Sequence, residues 1–160
     1  MSAPFSPREI FAALELHGVD YVTIGGFALI AHGVIRATID VDVIPAPDRS
    51  NRERLADALN ALGAKPDGEP ATRIDAGLLG RNANMRFQTD HGQVDVLAAE
   101  QYAERFVALR ERAVRAGADG VTVTVVARDD LVALKAGSGR DRDLRDIGDL
   151  LSLDPAGELP

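Results

Sequence analysis

Residues 21–44 of this chain read YVTIGGFALIAHGVIRATIDVDVI, and this stretch decides the fold. Its first four residues are β-branched or aromatic, which is typical of a short strand. Gly25-Gly26 then interrupt the strand, and residues 27–31 have helical character. A second strand is predicted over residues 39–44, and the prolines that follow end it. The stretch therefore predicts a strand, a tight turn, a short helix and a second strand.

Asp40 and Asp42 lie two residues apart in the second of these strands. Residues two apart share one face of a sheet, so both carboxylates point to one side while Ile39, Val41 and Val43 point toward the core. Asp is depleted in strands, and neighbouring like charges on a sheet face repel each other. Bound Mg²⁺ would offset this repulsion, since it is typically held by one or two carboxylates and substrate phosphates. Taken alone, the pair fits a solvated sheet face equally well.

Gly25-Gly26 stands thirteen residues before the Asp pair, where a strand ends and a helix begins. Backbone N–H groups at such a junction can bind phosphate, because no side chain blocks the approach and the helix N-terminus is positive. The plain alternative is a tight turn that needs two glycines. The glycines by themselves therefore indicate little, and they gain weight from the carboxylates downstream.

Asp95 is a third carboxylate inside an apolar strand, residues 93–97. Alone it is best explained as the polar face of an edge strand. Together with Asp40 and Asp42 it predicts a site for divalent metal, Mg²⁺ or Mn²⁺. Two carboxylates would hold a nucleotide-bound ion, and the third would complete a second position that activates an attacking hydroxyl.

The rest of the chain mixes helices with antiparallel strands, which favours an α+β fold. Helices are predicted over residues 8–16, from a cap at Asp48 or Ser50 to residue 62, and over 100–109, 131–136 and 140–151. A hairpin is predicted over residues 85–97, paired strands at 113–115 and 121–127, and a loop at 71–80. Asp129 is expected to cap the helix at 131–136. In the last helix the residues expected to face inward are apolar, namely Leu144, Ile147, Leu150 and Leu151.

Composition narrows the class of protein. The chain has 160 residues, which predicts one domain over residues 1–153 and a flexible tail over 154–160. The net charge of −7 argues against a basic nucleic-acid-binding surface over the whole protein. The absence of Cys excludes a disulfide framework and a thiolate zinc site. With no signal-like N-terminus and no membrane-length apolar run, we expect a cytoplasmic protein without membrane partners.

Residues 21–33 followed by RATIDVD at 36–42 resemble the opening of minimal nucleotidyltransferases of the DNA polymerase β-like superfamily. The likeness is to the AbiEii and MenT-type toxin branch, which often carries a downstream Lys, then Arg, then an Asp pair. LKAGSGRDRDLRDI at residues 134–147 is similar to that element. The resemblance covers most of residues 19–151. It implies a nucleotidyltransferase fold, a mixed sheet flanked by helices, with helices at the C-terminal end.

The resemblance also implies roles for single residues. Gly25 and Gly26 would contact the phosphates of an NTP, and Lys135 would meet its triphosphate. The metal ligands and catalytic carboxylates would be Asp40, Asp42 and Asp95, with Asp95 helping to deprotonate or orient the acceptor hydroxyl. Arg140 would join the nucleotide-binding residues, with Asp143 orienting either Lys135 or Arg140. Gly26 departs from the pattern, since many relatives have Ser there and use its side chain on phosphate.

Without the resemblance, the charged residues outside the carboxylate trio have plainer readings. Lys135 would be an ordinary surface lysine, and residues 140–146 would form a self-neutralised helix face. Arg36 is as well suited to phosphate as to an ion pair with Asp40. A strip of arginines at 105, 110, 112 and 115 is better explained by solvation and pairing with Glu104 and Glu111 than by RNA binding.

The sequence thus predicts an enzyme that moves a nucleotide from an NTP to an acceptor hydroxyl, with release of pyrophosphate. The acceptor remains open among a tRNA 3′ end, a protein side chain and a small molecule such as an aminoglycoside. The toxin resemblance also implies an antitoxin protein as partner. The competing hypotheses are an inactive nucleotidyltransferase fold that only binds, and a plain structural domain.

Overall fold

The computed structural model describes residues 4–70, 73–118 and 120–153. Within these ranges the helices are α1 (Pro7–Leu16), α2 (Gly25–Ala31), α3 (Arg49–Ala61), α4 (Ala76–Leu79), α5 (Glu100–Ala103), α6 (Phe106–Arg112), α7 (Arg128–Ser138) and α8 (Asp141–Leu151). The strands are β1 (Tyr21–Ile24), β2 (Asp40–Pro45), β3 (Lys65–Pro66), β4 (Met85–Thr89), β5 (Gly92–Val96), β6 (Val114–Ala118) and β7 (Val121–Val125).

All of these strands form one mixed sheet in the order β3-β4-β5-β2-β1-β7-β6. Strand β2 lies near the centre, antiparallel to β1 and parallel to β5. Strand β1 is also parallel to β7, and the hairpins β4–β5 and β6–β7 are antiparallel. A mixed sheet with helices packed against it confirms the predicted α+β class.

Local sequence signals place the two helices that cover the centre of the sheet. Helix α1 has Pro at its start and buries Ile10, Phe11 and Leu14 completely. Helix α3 begins after Asp48, whose carboxylate accepts a hydrogen bond of 3.0 Å from the backbone N–H of Asn51. The two helices pack against each other and against β2, so they fix the strand that carries the Asp pair.

Several predicted elements differ from the structure at their boundaries. The predicted loop at 71–80 contains helix α4, which begins after Asp75 because that carboxylate accepts from the N–H of Leu78 at 2.8 Å; residues 71 and 72 lie outside the described part. The helix predicted at 100–109 is divided into α5 and α6. The prediction of Asp129 as a cap is wrong, since α7 starts one residue after Ala127 and Asp129 lies inside its first turn.

Ile39 does not face the core as predicted. It lies just before β2 and is 75% exposed, whereas Val41 and Val43 are fully buried. The alternation of the strand therefore holds only from Asp40 to Val43. The predicted tail at 154–160 lies outside the described residues. Among the helices that the structure describes, none is long and apolar enough to cross a membrane.

Candidate active site

The carboxylates of Asp40, Asp42 and Asp95 converge on one face of the sheet. The two-residue period of β2 places Asp40 and Asp42 on the same side. Parallel pairing of β2 with β5 then sets Asp42 directly beside Asp95. One carboxylate oxygen from each of the three residues lies within 4.8 Å of the other two. The sequence predicted these residues, and the β2–β5 register brings them together.

The surroundings of Asp42 disfavour the charged form of its carboxyl group. Its burial, together with the negative charges of Asp40 and Asp95, raises its pKa from the ordinary 3.8 to about 7, against a lowering influence of Lys135. Burial disfavours the charged form of a carboxyl, and neighbouring like charges add to that effect. A cation placed among the three carboxylates would favour their charged forms.

Two polar side chains that the sequence reasoning missed hold the trio in place. Arg86 stands directly opposite Asp95 on β4, and its Nε donates to an Asp95 oxygen at 3.0 Å. The amide Nε2 of Gln93 lies between Asp40, at 3.3 Å, and Asp95, at 3.4 Å. Both residues follow from the predicted hairpin, because Gln93 shares a face with Asp95 and Arg86 is its cross-strand neighbour.

The glycine pair leaves no space for side chains: Gly25 is packed against Asp42, and Gly26 is packed against Thr38. Gly25 has a φ of +72°, and a Cβ there would overlap a carboxylate oxygen of Asp42. A Cβ on Gly26 would lie 2.9 Å from the hydroxyl oxygen of Thr38. Positive φ and lack of space both require glycine at position 25. Both glycines line the same cavity as the carboxylates.

Opposite the Asp trio, Lys135 of α7 lies in a buried ion-pair network with α8. Lys135 is only 9% exposed, and its Nζ lies 2.8 Å from Asp146 and 3.4 Å from Asp143. Asp146 also accepts from Nη1 of Arg36 at 2.8 Å, and Asp143 accepts from Nε of Arg140 at 2.6 Å. The plain interpretation of Lys135 as a surface lysine is therefore wrong.

Asp143 stays charged although its side chain is buried. Burial acts to raise its pKa, but hydrogen bonds from Ser138 and Arg140 and the charge of Lys135 outweigh it, so that the pKa falls to about 2. The carboxylate thus contacts both cations that the resemblance assigns to the nucleotide, Lys135 and Arg140.

This network overturns two expectations about α8. Leu144 is 53% exposed and Leu151 is 64% exposed, while Asp143 and Asp146 are 2% and 6% exposed. Apolar periodicity did not predict the buried face of α8, because the face with the carboxylates packs against the buried Lys135 of α7. Of the four predicted leucine and isoleucine contacts, Leu150 is fully buried.

Arginine partners also differ from those expected. Arg36 pairs with Asp146 and lies in no ion pair with Asp40 among the described residues. Among the described residues, three of the four arginines at 105–115 pair with distant carboxylates rather than with Glu104 and Glu111: Arg110 with Asp20, Arg112 with Asp130 and Arg115 with Glu15. These contacts span from 18 to 100 residues of chain, and no local signal gives them.

A single open cavity of about 650 Å³ unites both halves of the site. Every predicted site residue lines it: Gly25, Gly26, Asp40, Asp42, Asp95, Lys135, Arg140 and Asp143. Tyr102, Arg142 and Arg86 line it as well. Acidic and basic side chains from the sheet and from the α7–α8 region thus line one space.

The chemistry of the donor set suits a hard divalent cation. Three carboxylates within 4.8 Å supply only oxygen donors, which Mg²⁺ and Mn²⁺ prefer. The volume lies in the range of small-molecule and cofactor pockets. The lining combines carboxylates suited to metal with cations suited to phosphate.

Comparison with solved structures supports the fold. The lincosamide antibiotic adenylyltransferase LnuA, bound to lincomycin, superposes with a TM-score of 0.61 at 14% identity, covering 93% of this chain and 98% of that one. ANT(2″)-Ia in complex with adenylyl-2″-tobramycin gives 0.61 at 14%, covering 91% and 86%. An antigenic nucleotidyltransferase-like protein from Paracoccidioides brasiliensis gives 0.59 at 17%, covering 96% and 82%. The predicted nucleotidyltransferase fold is confirmed by these similarities.

Sequence comparison assigns the family. No curated protein sequence matches this chain significantly. Residues 9–152 match the family described as "Nucleotidyltransferase of unknown function (DUF6036)". This match spans both the Asp trio and the Lys135 network, and the chain therefore belongs to that nucleotidyltransferase family.

Proposed function

We propose that this protein transfers a nucleotide from an NTP to the hydroxyl of a small-molecule acceptor, using divalent metal. The observation that carries the proposal is the cavity in which Asp40, Asp42 and Asp95 face Lys135 and Arg140. The acceptor oxygen attacks the α-phosphorus, the bond to the bridging oxygen breaks, and pyrophosphate leaves. Such a reaction depends mainly on positioning and charge neutralisation, which these residues supply.

The three carboxylates would hold Mg²⁺ or Mn²⁺. When bound, the metal would neutralise phosphate charge and lower the pKa of the attacking hydroxyl. Asp40 and Asp42, which share one face of β2, would be the ligands of the nucleotide-bound ion. Asp95 would orient the acceptor hydroxyl and accept its proton, with Arg86 and Gln93 fixing the carboxylate at 3.0 and 3.4 Å.

Lys135 and Arg140 would bind the β- and γ-phosphates of the NTP, which leave as pyrophosphate. Both line the cavity, and both contact Asp143, at 3.4 and 2.6 Å. Asp143 would thus orient the two cations together. Gly25 and Gly26 would let the phosphates approach the backbone, since neither carries a side chain in the cavity wall.

A small-molecule acceptor is favoured by the charge distribution. Three of the four arginines that would form an RNA-binding strip are each paired with a carboxylate. The net charge is −7, so affinity for a polyanion has little electrostatic support. Two of the structural neighbours hold lincomycin and an adenylylated tobramycin, both small molecules.

The decisive experiment measures transfer of α-labelled NTPs in the presence of Mg²⁺. Acceptors would include lincosamides, aminoglycosides, a metabolite extract and total RNA. We expect label on a small molecule, with Asp42→Asn lowering the rate by roughly 10²-fold or more and Asp57→Asn, an exposed control, leaving it unchanged. Transfer by Asp42→Asn at the wild-type rate would refute the site assignment.

The toxin hypothesis remains a second candidate, carried by the likeness at residues 21–42 and 134–147. It proposes a tRNA 3′ end as acceptor and an antitoxin as partner. Label on tRNA, together with slowed bacterial growth that Asp42→Ala relieves, would favour it over the small-molecule acceptor. Equal toxicity of the wild type and of Asp42→Ala would point to misfolding or another mechanism, and would argue against the toxin hypothesis.

A further inference from the structure

Arg36 is a cation of the candidate site to which the proposed function gives no role. It lies in the loop between α2 and β2, and it lines the same cavity as the Asp trio and Gly26. Its side chain is 26% exposed. The sequence leaves Arg36 open between a phosphate and Asp40, and the observed ion pair with Asp146 leaves the phosphate to be considered.

The guanidinium of Arg36 is held at one end and open at the other. Nη1 donates to Asp146 at 2.8 Å, and Asp146 is itself buried. Nε and Nη2 donate to no acceptor in the described ranges, yet neither is among the buried polar atoms that lack a partner there. These two nitrogens are therefore accessible from the cavity side or from solvent. They form the edge of an arginine that binds phosphate through two parallel hydrogen bonds.

The open edge of Arg36 lies beside the glycine turn. A Cβ on Gly26 would stand 3.9 Å from Nε of Arg36. Nε is therefore a near neighbour of the Gly26 backbone, which the phosphates of the NTP would approach. A phosphate at Gly26 would come within reach of the Arg36 guanidinium without displacing Nη1 from Asp146.

The ion pairs around Arg36 leave one positive charge without a counter-ion. Asp146 also accepts from Lys135 at 2.8 Å, and Asp143 pairs with both Lys135 and Arg140. This connected network holds three cations and two carboxylates. Within the described part of the chain, no ion pair joins these three cations to the Asp trio. A network with one excess cation beside a cavity is suited to receive an anion, because partly buried charges need partners.

We propose that Arg36 binds a phosphate of the NTP through Nε and Nη2 while Nη1 stays on Asp146. This role rests on the proposed function, because it concerns the same NTP. Arg36 and Arg140 are then the two ends of the network, and each is fixed by one aspartate of α8, Asp146 or Asp143. Lysine could not replace Arg36, because an ammonium lacks the planar pair of donors.

Binding of a non-reacting NTP analogue measures this contact. The α,β-methylene analogues of ATP, GTP, CTP and UTP cannot be cleaved between the α- and β-phosphates, so a calorimetric titration with Mg²⁺ present reports binding alone. For the analogue that binds wild type most tightly, Arg36→Gln and Arg36→Lys should each raise the Kd about tenfold or more. Arg110→Gln is the matched control, since it removes an ion pair of the same 2.8 Å length outside the cavity and should leave the Kd unchanged.

A second measurement observes Arg36 in the unaltered protein. In ¹⁵N-labelled wild type, the Nε–H signal of Arg36 should shift saturably with the analogue, at the Kd found by calorimetry. The Nε–H signal of Arg110 should not shift. An Arg36 that only fixes its loop to α8 predicts no such change, so this measurement decides the matter if the Arg36 variants fail to fold.

The outcomes separate the role of Arg36 from the proposed function. If none of the four analogues binds wild type, the NTP site is wrong and the role of Arg36 falls with it. If an analogue binds but a folded Arg36→Gln variant keeps the wild-type Kd, or the Nε–H signal of Arg36 stays in place, only the role of Arg36 is refuted. A wild-type Kd in Arg36→Lys would show that charge alone suffices and would refute the two-point contact.

Discussion

Replacing Asp42 by Asn is expected to stabilise the metal-free protein above neutral pH. Asn keeps nearly the same shape and removes one of three charges whose oxygens lie within 4.8 Å of each other. At an effective dielectric of about 20, two charges about 5 Å apart repel by about 3 kcal/mol before screening. Mutual repulsion in the trio therefore opposes folding whenever Asp42 is charged.

The pKa of Asp42 gives an independent estimate of this loss of stability and sets the pH range over which it develops. The folded-state pKa of about 7 exceeds the ordinary 3.8, so the folded state keeps a proton that the unfolded chain has released between these values. Stability consequently falls as pH rises from about 4 to about 7, and the full penalty is present above that range. A shift of about three units corresponds to about 4 kcal/mol as a ceiling. Allowing for screening, we expect Asp42→Asn to gain about 1–3 kcal/mol at pH 8.

Thermal unfolding at pH 5 and pH 8 measures the effect. A gain of 1–3 kcal/mol raises the Tm of a domain of this size by roughly 3–10 °C. At pH 5 the folded wild type holds the Asp42 proton while most of the unfolded chain has released it, so the gain should fall to roughly a third of its value at pH 8. Asp57→Asn, on the exposed side of α3, should change Tm little at either pH. Mg²⁺ with NTP should raise the Tm of wild type far more than that of Asp42→Asn.

Two results would refute this reasoning. One is a variant that melts lower than wild type at pH 8, which would mean that the Asp42 carboxylate makes net favourable contacts. The other is an equal Tm gain at pH 5 and pH 8, which would show that the gain has no electrostatic origin.

Three further predictions concern the glycine turn and the Lys135 network. Gly25→Ala should abolish nucleotide transfer and lower Tm by more than Gly68→Ala, because both positions have φ near +70° but only residue 25 lies against Asp42; equal losses would refute the steric argument. Lys135→Met should cost about 3 kcal/mol in a denaturant titration, since it leaves two buried carboxylates with one cation fewer. An unchanged free energy of unfolding would show that the ion pairs of Lys135 do not stabilise the folded protein. Asp143→Asn should destabilise at neutral pH, and its deficit should fade as pH falls from about 4 to about 2, because a lowered pKa stabilises above that window; a pH-independent deficit would exclude the ion pairs as its source.

The sequence by itself located the Asp pair of the candidate site because it obeys a local rule. Alternation in a strand places Asp40 and Asp42 on one face whatever the rest of the chain does. The same rule placed Asp95 in the predicted hairpin, but Gln93 and Arg86 beside it were missed, since the contact of Arg86 with Asp95 depends on the hairpin register. Likewise, a proline start and an Asp cap marked where α1 and α3 begin.

Local rules failed where charge and burial compete. Apolar periodicity predicted that Leu144 and Leu151 face inward in α8, yet both are exposed. The helix instead turns Asp143 and Asp146 toward Lys135, because a buried ammonium without a counter-ion costs more than two exposed leucines. That cost depends on how deeply α7 buries Lys135, which no window of sequence reports.

The tertiary structure alone decided which groups meet. Parallel pairing of β2 with β5 brings Asp42 beside Asp95 and Asp40 beside Gln93. The two residues of each pair lie 53 positions apart in the sequence. The contact of Arg36 with Asp146 closes a separation of 110 positions. Two-residue and 3.6-residue periods fix the face that a side chain occupies, and they are set by backbone geometry within one element. Which faces then oppose each other depends on the packing of the whole chain, so the cavity and its charge balance exist only in the folded protein.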